Sequence, residues 1–329
     1  MPTLDIGCIT TSNGSKLMAK QKIRLSGTDR TNIFAALDAY HDAAVDLSRL
    51  DIIDTCPPDV SRDIVKSIKM GRTLSEAGRR AGLFNKTEEM LITVGETSSK
   101  MHTIYKWLTR WYEDNAKFAA LIKGKSIYPL ATLSVALVAA PLPELFNAQI
   151  SPARYTITLL IQLFVVWGLF LRITNKLAYR QIEYFNEPWF TSILNGSEKN
   201  FGRKVYERNY LKLLWLLLSA GLDAQRSFET LSGMTRNRQW KKMHLAAIAD
   251  IRKGNSLHQT LDKSGLLQRR DNLQVLATAE QSGTLTSSLS HHLDLLDENI
   301  SLRLTVGATW IGRAIYIGVM VFAGVLYFA

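Results

Sequence analysis

AEQSGTL, residues Ala279 to Leu285, sets one acid, Glu280, beside a small-residue turn between two segments with helical periodicity. No partner for that acid lies close by in sequence. Its counterpart stands far upstream in GETSSKM, Gly95 to Met101, where Glu96 matches Glu280, Ser98 matches Ser282 and Met101 matches Leu285. The parallel extends backwards: Ile68 to Glu76 (IKMGRTLSE) pairs with Ile251 to Gln259 (IRKGNSLHQ). In each copy a helix is expected to end at a glycine suited to the left-handed conformation, Gly71 or Gly254. Thr73 or Ser256 then opens a new helix at Leu74 or Leu257. Three residues on, Glu76 and Gln259 complete predicted capping boxes. Each new helix is predicted to stop at a second glycine, Gly82 or Gly265, followed by an apolar pair, Leu83-Phe84 or Leu266-Leu267. One unit used twice is the economical explanation.

Between and after the two copies the chain turns apolar. Charged residues make up 21% of the 329 residues, yet Ser126 to Pro143 and Tyr155 to Leu171 carry none, and Leu304 to Ala329 carries only Arg313. Each run is close to the length needed to cross a hydrocarbon core of about 30 Å. The spans are placed at 126–145, 155–172 and 304–329. Tyr210 to Leu222 is as greasy but short and holds Lys212, so it is read as a buried helix of a soluble bundle. The opening residues lack a continuous apolar stretch, so no cleaved signal peptide is expected.

Basic residues set the predicted topology. Lys117, Lys123 and Lys125 precede the first span and Arg172, Lys176 and Arg180 follow the second, whereas the intervening loop sets Arg154 against Glu144. The N-terminus and both polar segments are therefore expected in the cytoplasm, and the C-terminus on the periplasmic side. The net charge of +11 is spread over both segments rather than gathered in one aromatic-studded stripe, which argues against nucleic acid and for anionic headgroups. Cys8 and Cys56 are expected as free thiols.

The remainder reads as helix. Ile33, Leu37, Tyr40, Ala44 and Leu47 share one helical face until Cys56-Pro57-Pro58 breaks it. Ile104, Trp107, Leu108, Trp111 and Phe118 form a stripe leading towards the first span. The expected fold is an all-α membrane protein. It has a short segment 1–25, a cytoplasmic helical bundle at 26–122, a transmembrane hairpin, a second homologous bundle at 176–303 and a third membrane helix at 304–329.

For Glu96 and Glu280 three readings stand side by side. The carboxylate accepts N–H groups at the start of the helix that follows it, pairs with a basic residue of its own bundle, or shares a divalent cation between subunits. Arg313 either reaches the headgroups or meets a carboxylate on a partner's membrane helix. Enzyme signatures fail. Ala119 to Ser126 (AALIKGKS) ends like a phosphate loop but has Ala119 where the first glycine belongs, and the six histidines form no H-E-x-x-H. No catalytic residue and no cofactor is expected.

A charge-sparse hairpin between two bundles that each end in Gly/Ala-Glu-x-Ser-Gly/Ser resembles the type II secretion F family (GspF/PilC), and in its short form the type IVb pilus branch. Lys253, Gly254, Ser256, Leu257, Glu280, Ser282, Gly283 and Leu285 carry the resemblance in the second copy. Gly71, Thr73, Leu74, Gly95, Glu96, Ser98 and Met101 carry it in the first, with Met70, Ser99 and Ala279 as departures. The resemblance implies an inner-membrane platform, most often a homodimer. Its implied partners are a hexameric secretion ATPase, pilins or pseudopilins, and other inner-membrane assembly proteins. Arg72, Arg79 and Arg80 are the expected basic contact surface for the ATPase. A permease would need polar groups along a midplane path, where the spans offer Gln162 and hydroxyls besides Arg313.

Overall fold

The computed structural model describes residues 25–46, 56–139, 141–147, 151–178, 201–234 and 237–303, together with Val306 and Arg313. Every regular element among these residues is a helix. Residues 1–24 of the predicted segment 1–25, the link 179–200 and nearly all of the predicted span 304–329 lie outside the described residues, as do Cys8 and Leu47.

The first half is built from five helices. Helix α1 (Gly27–Asp42) starts at Ser26, whose hydroxyl accepts from Asp29 N while the Asp29 carboxylate accepts from Ser26 N, a complete capping box. Its end falls short of the periodicity that runs on to Leu47. Ala44 takes a left-handed φ of 51°, so Ala44 does not continue the stripe. Helix α2 (Pro58–Lys69) begins with a proline, whose missing N–H costs nothing at a first turn. Helix α3 (Leu74–Ala81) is followed by α4 (Lys86–Ser98), capped reciprocally by Asn85 and Glu88. Helix α5 (Met101–Ala139) runs for 39 residues, about 58 Å.

The described chain continues with α6 (Leu142–Phe146) and α7 (Pro152–Ala178). The first apolar segment is therefore not one helix to 145, because α5 ends at Ala139 and Pro141 opens the separate α6. Helices α5 and α7 touch: Tyr155 Oη donates to Val138 O at 2.9 Å and Trp167 Nε1 to Ser134 Oγ at 3.2 Å. Among the described residues, Met101–Ala139 and Pro152–Arg172 are long and apolar enough to cross a membrane. In the apolar part of α5 and along α7 many apolar side chains face outwards, with Phe164 80% and Val135 68% exposed. Such a surface needs an apolar surrounding rather than water.

The second half comprises α8 (Phe201–Ser219), α9 (Ala224–Met234), α10 (Arg238–Arg252), α11 (Leu257–Lys263), α12 (Arg270–Gln281) and a helix α13 over residues 285–303. The greasy Tyr210 to Leu222 stretch lies mostly within α8, where Leu211, Leu213, Leu214, Leu216 and Leu217 are fully buried. It is a buried helix at the centre of the second half, as its length suggested.

The backbone executes the same turns twice. Gly71 and Gly254 have φ of 81° and 83°, and each donates to the residue three before it, Ile68 or Ile251. Gly82 and Gly265 end α3 and α11 at φ of 79° and 72°. The third left-handed position holds Ser99 in one copy and Gly283 in the other, at φ of 55° and 66°. Both halves contribute to one apolar core, in which Phe34 stacks on Phe84 and Tyr112, while Tyr206 and Trp240 meet edge to face in the second half.

Candidate functional site

The motif acids sit on the last turns of α4 and α12, so Gly95-Glu96 and Ala279-Glu280 are helical and the turn begins only at Ser99 and Ser282. From there each carboxylate reaches back over more than twenty residues to the start of the short helix of its own copy. Glu96 accepts from Ser75 N at 3.1 Å and from Ser75 Oγ at 2.6 Å. Glu280 accepts from Leu257 N at 2.7 Å and His258 N at 3.2 Å, and its second oxygen lies 2.8 Å from His258 Nδ1. Ser75 and His258 occupy the same place, second in their helices, and each offers a backbone and a side-chain donor.

The helix start is thus capped, but it is the preceding helix and not the one that follows the acid. At α3 and α11 the first N–H groups have no partner inside the helix, and the dipole favours a negative charge there. Sequence reasoning assigned those donors to local capping boxes. Thr73 Oγ1 does accept from Glu76 N at 3.3 Å, yet the Glu76 carboxylate turns to Arg72 and Arg80 instead. In the second copy Ser256 makes no side-chain cap, its Oγ is buried without a hydrogen-bond partner, and Glu280 supplies the cap alone. What each carboxylate touches is a set of donors.

Burial pushes the Glu280 carboxyl pKa up, but the His258 side chain and the N–H groups of Leu257 and His258 outweigh it and leave it lowered. In the first copy the burial of Tyr105 near Glu96 and Asp38 raises its phenol far above the usual range.

A second polar pair, missed from sequence, locks the bundle cores. Glu88, fully buried, accepts from Asn85 N at 2.7 Å and from Tyr112 Oη at 2.5 Å and forms an ion pair with Arg30. Burial weakens the Arg30 charge, yet Glu88 and Tyr112 outweigh it, so the guanidinium pKa is raised. In the second half Glu207 is bonded by Arg203 Nε at 2.9 Å, Gln268 N at 3.0 Å and Asn272 Nδ2 at 2.7 Å. Both acids therefore bond a backbone N–H near the start of the helix that carries the motif acid of their copy, α4 or α12, but one stands on that helix and the other on the opening helix of its bundle. The Asn85-x-x-Glu88 spacing was a readable signal; the Arg30 partner, 58 residues away, was not.

Of the expected contact residues, Arg72 and Arg80 pair with Glu76 at 3.4 and 3.0 Å and Arg79 with Glu89 at 3.5 Å, all near the surface. Arg313 is placed in a helical turn whose neighbours fall outside the described residues.

Comparison with known proteins meets the same two stretches. A family model described as "Type II secretion system (T2SS), protein F" matches residues 57–142 and 210–329, and so includes both acidic caps. A relative, "Type IV pilus assembly protein PilC" of Thermus thermophilus, is 23% identical over 264 residues. That similarity takes in 73% of this chain and 64% of the relative's length.

Proposed function

This chain belongs to the type II secretion system protein F family, and from that premise we propose that it is an inner-membrane platform protein of a type IV pilus or type II secretion machine. The observation that carries the reading is the family match across both copies of the acid-capped unit, together with a similar protein named for pilus assembly. In this reading α5 and α7 form the membrane hairpin, residues 304–329 add a third span, and both bundles lie in the cytoplasm with the C-terminus outside. The exposed apolar faces of α5 and α7 support the hairpin, and the basic residues around Lys123, Lys125 and Arg172 support its orientation.

The chain does no nucleotide chemistry of its own in this reading. A cytoplasmic hexameric ATPase moves the bundles, and α5 and α13, each leading out of its bundle towards an apolar segment, carry that motion to where pilins leave the bilayer. A homodimer presents two such units to the ATPase. Motion is transmitted only if the bundles are stiff, and the capped short helices and buried ion pairs supply that stiffness.

The test is a strain lacking this chain. Surface fibres or secreted substrate are expected to disappear while the pilin or pseudopilin accumulates in the inner membrane. In-cell crosslinking of the complementing protein is expected to recover the ATPase, and charge reversal of Arg72, Arg79 and Arg80 to reduce that product. Normal fibres and secretion in the deletion strain would refute the reading.

A further inference from the structure

We propose that the first bundle holds a divalent transition-metal ion between α1 and the root of α5, ligated by Asp38, Asp42 and His102. Asp38 and Asp42 lie one turn apart on α1, and His102 is the second residue of α5. The three can present ligand atoms that all lie within 4.8 Å of one another. His102 Nδ1 is 2.9 Å from Asp38 Oδ1 and 3.0 Å from Asp42 Oδ1. A ring nitrogen carries at most one hydrogen, so it cannot donate a straight hydrogen bond to both carboxylates at once.

A separate observation points to a ligand. Asp38 Oδ1 and His102 Nδ1 are both shut off from solvent and lie 2.9 Å apart as an ion pair, yet without the geometry of a hydrogen bond. Shielded polar atoms without a well-formed hydrogen bond are costly in a native fold. A cation between them would satisfy both atoms, and two carboxylates neutralise its charge. His41 Nδ1, 3.8 Å from Asp42, stands at the rim.

The second bundle joins its opening and final helices differently. There Trp215, on the opening helix α8, donates from Nε1 to the carbonyl of Thr286, the second residue of α13, at 2.9 Å. Farther along, Asp297 of α13 pairs with Lys212 and Arg208 of α8, so the two helices are joined there by one acid between two cations. The first bundle instead gathers two acids and an imidazole, a donor set that suits Zn²⁺ or Mn²⁺ better than Mg²⁺ or Ca²⁺. Asp42 and His102 are partly open to solvent, which leaves coordination positions for water. The ion would clamp α1 to the start of the helix that leads to the first apolar segment. The inference stands whether or not the platform reading holds.

The test uses the full-length protein in detergent, stripped with EDTA and titrated with Zn²⁺ and with Mn²⁺ at pH 7.5 by calorimetry, with thermal unfolding in parallel. One equivalent per chain is expected for at least one of the two ions, with a higher unfolding midpoint in its presence. Asp42→Asn and His102→Gln are expected to weaken binding by at least about tenfold. Asp42 is exposed enough for its variant to keep the fold, which circular dichroism checks. Absence of saturable binding, or equal binding by wild type and both variants, overturns the proposal. So does a midpoint that falls in His102→Gln while EDTA leaves the wild type unchanged, since that is a histidine–aspartate ion pair alone.

Discussion

Glu280 accepts two backbone N–H groups and faces an imidazole, so its removal uncaps α11 outright, because Ser256 offers no substitute. Glu280→Ala is expected to cost about 1 kcal/mol, in the usual range for losing a helix cap. Glu96→Ala is expected to cost less, since Thr73 still accepts from Glu76 N. The sign of the pH effect follows from the lowered pKa of Glu280. Its contribution is complete above the ordinary glutamate range and is lost as pH falls through the lowered folded-state value. Thermal unfolding in detergent should show a gap between wild type and Glu280→Gln at pH 7 that closes below about pH 4. A gap that widens on acidification would contradict the cap. The glycines at positive φ were legible in the sequence because few other residues tolerate that conformation. The acids' partners were not, because 21 to 23 residues separate donor from acceptor and only packing brings them together.

At the scale of the element, the copies solve one packing problem with opposite volumes. After the short helix the chain folds back so that Leu83 N bonds Gly78 O in the first copy and Leu267 N bonds Leu261 O in the second. Phe84 fills the space above Gly78, where an added Cβ would lie 2.2 Å from the ring. In the second copy two fully buried leucines, Leu261 and Leu267, share that space. Gly78→Ala is therefore expected to destabilise by roughly 1–3 kcal/mol through overpacking. Gly78→Leu combined with Phe84→Leu should recover a substantial part of that loss, because it restores the pairing of the other copy. Chemical unfolding of the single and double variants checks this, and a double variant no better than Gly78→Leu alone would refute the equivalence. The apolar pairs were visible in the sequence, but the exchange of glycine for bulk was not, since periodicity marks a buried face without saying how much room lies above it.

The whole molecule is held together where the halves meet, and charge is concentrated at that seam. Lys212 on α8 lies 2.6 Å from Asp297 on α13 and 3.9 Å from Asp114 on α5, so one cation ties both helices that lead out of the bundles. Burial raises the Asp114 pKa, Lys212 lowers it and Asp297 raises it again, and the balance stays raised. A second contact is apolar: Gly233 of α9 lies so close to Met90 of α4 that a Cβ there would sit 2.5 Å from the methionine methyl. From sequence alone Lys212 looked like the charge that kept a greasy helix out of the membrane. Its partners lie 98 and 85 residues away, which is why its role at the seam could not be read. Lys212→Met leaves Asp114 facing Asp297 without the lysine between them, while Asp297 keeps Arg208 at 3.2 Å, and because both acids are partly exposed the expected cost is about 1 kcal/mol. Adding Asp114→Leu removes the opposed charge on the other half and should restore most of that stability, a coupling a double-mutant cycle measures directly. If the two substitutions instead add independently, the lysine does not join the halves, and motion of one bundle would reach the other through the apolar contact alone.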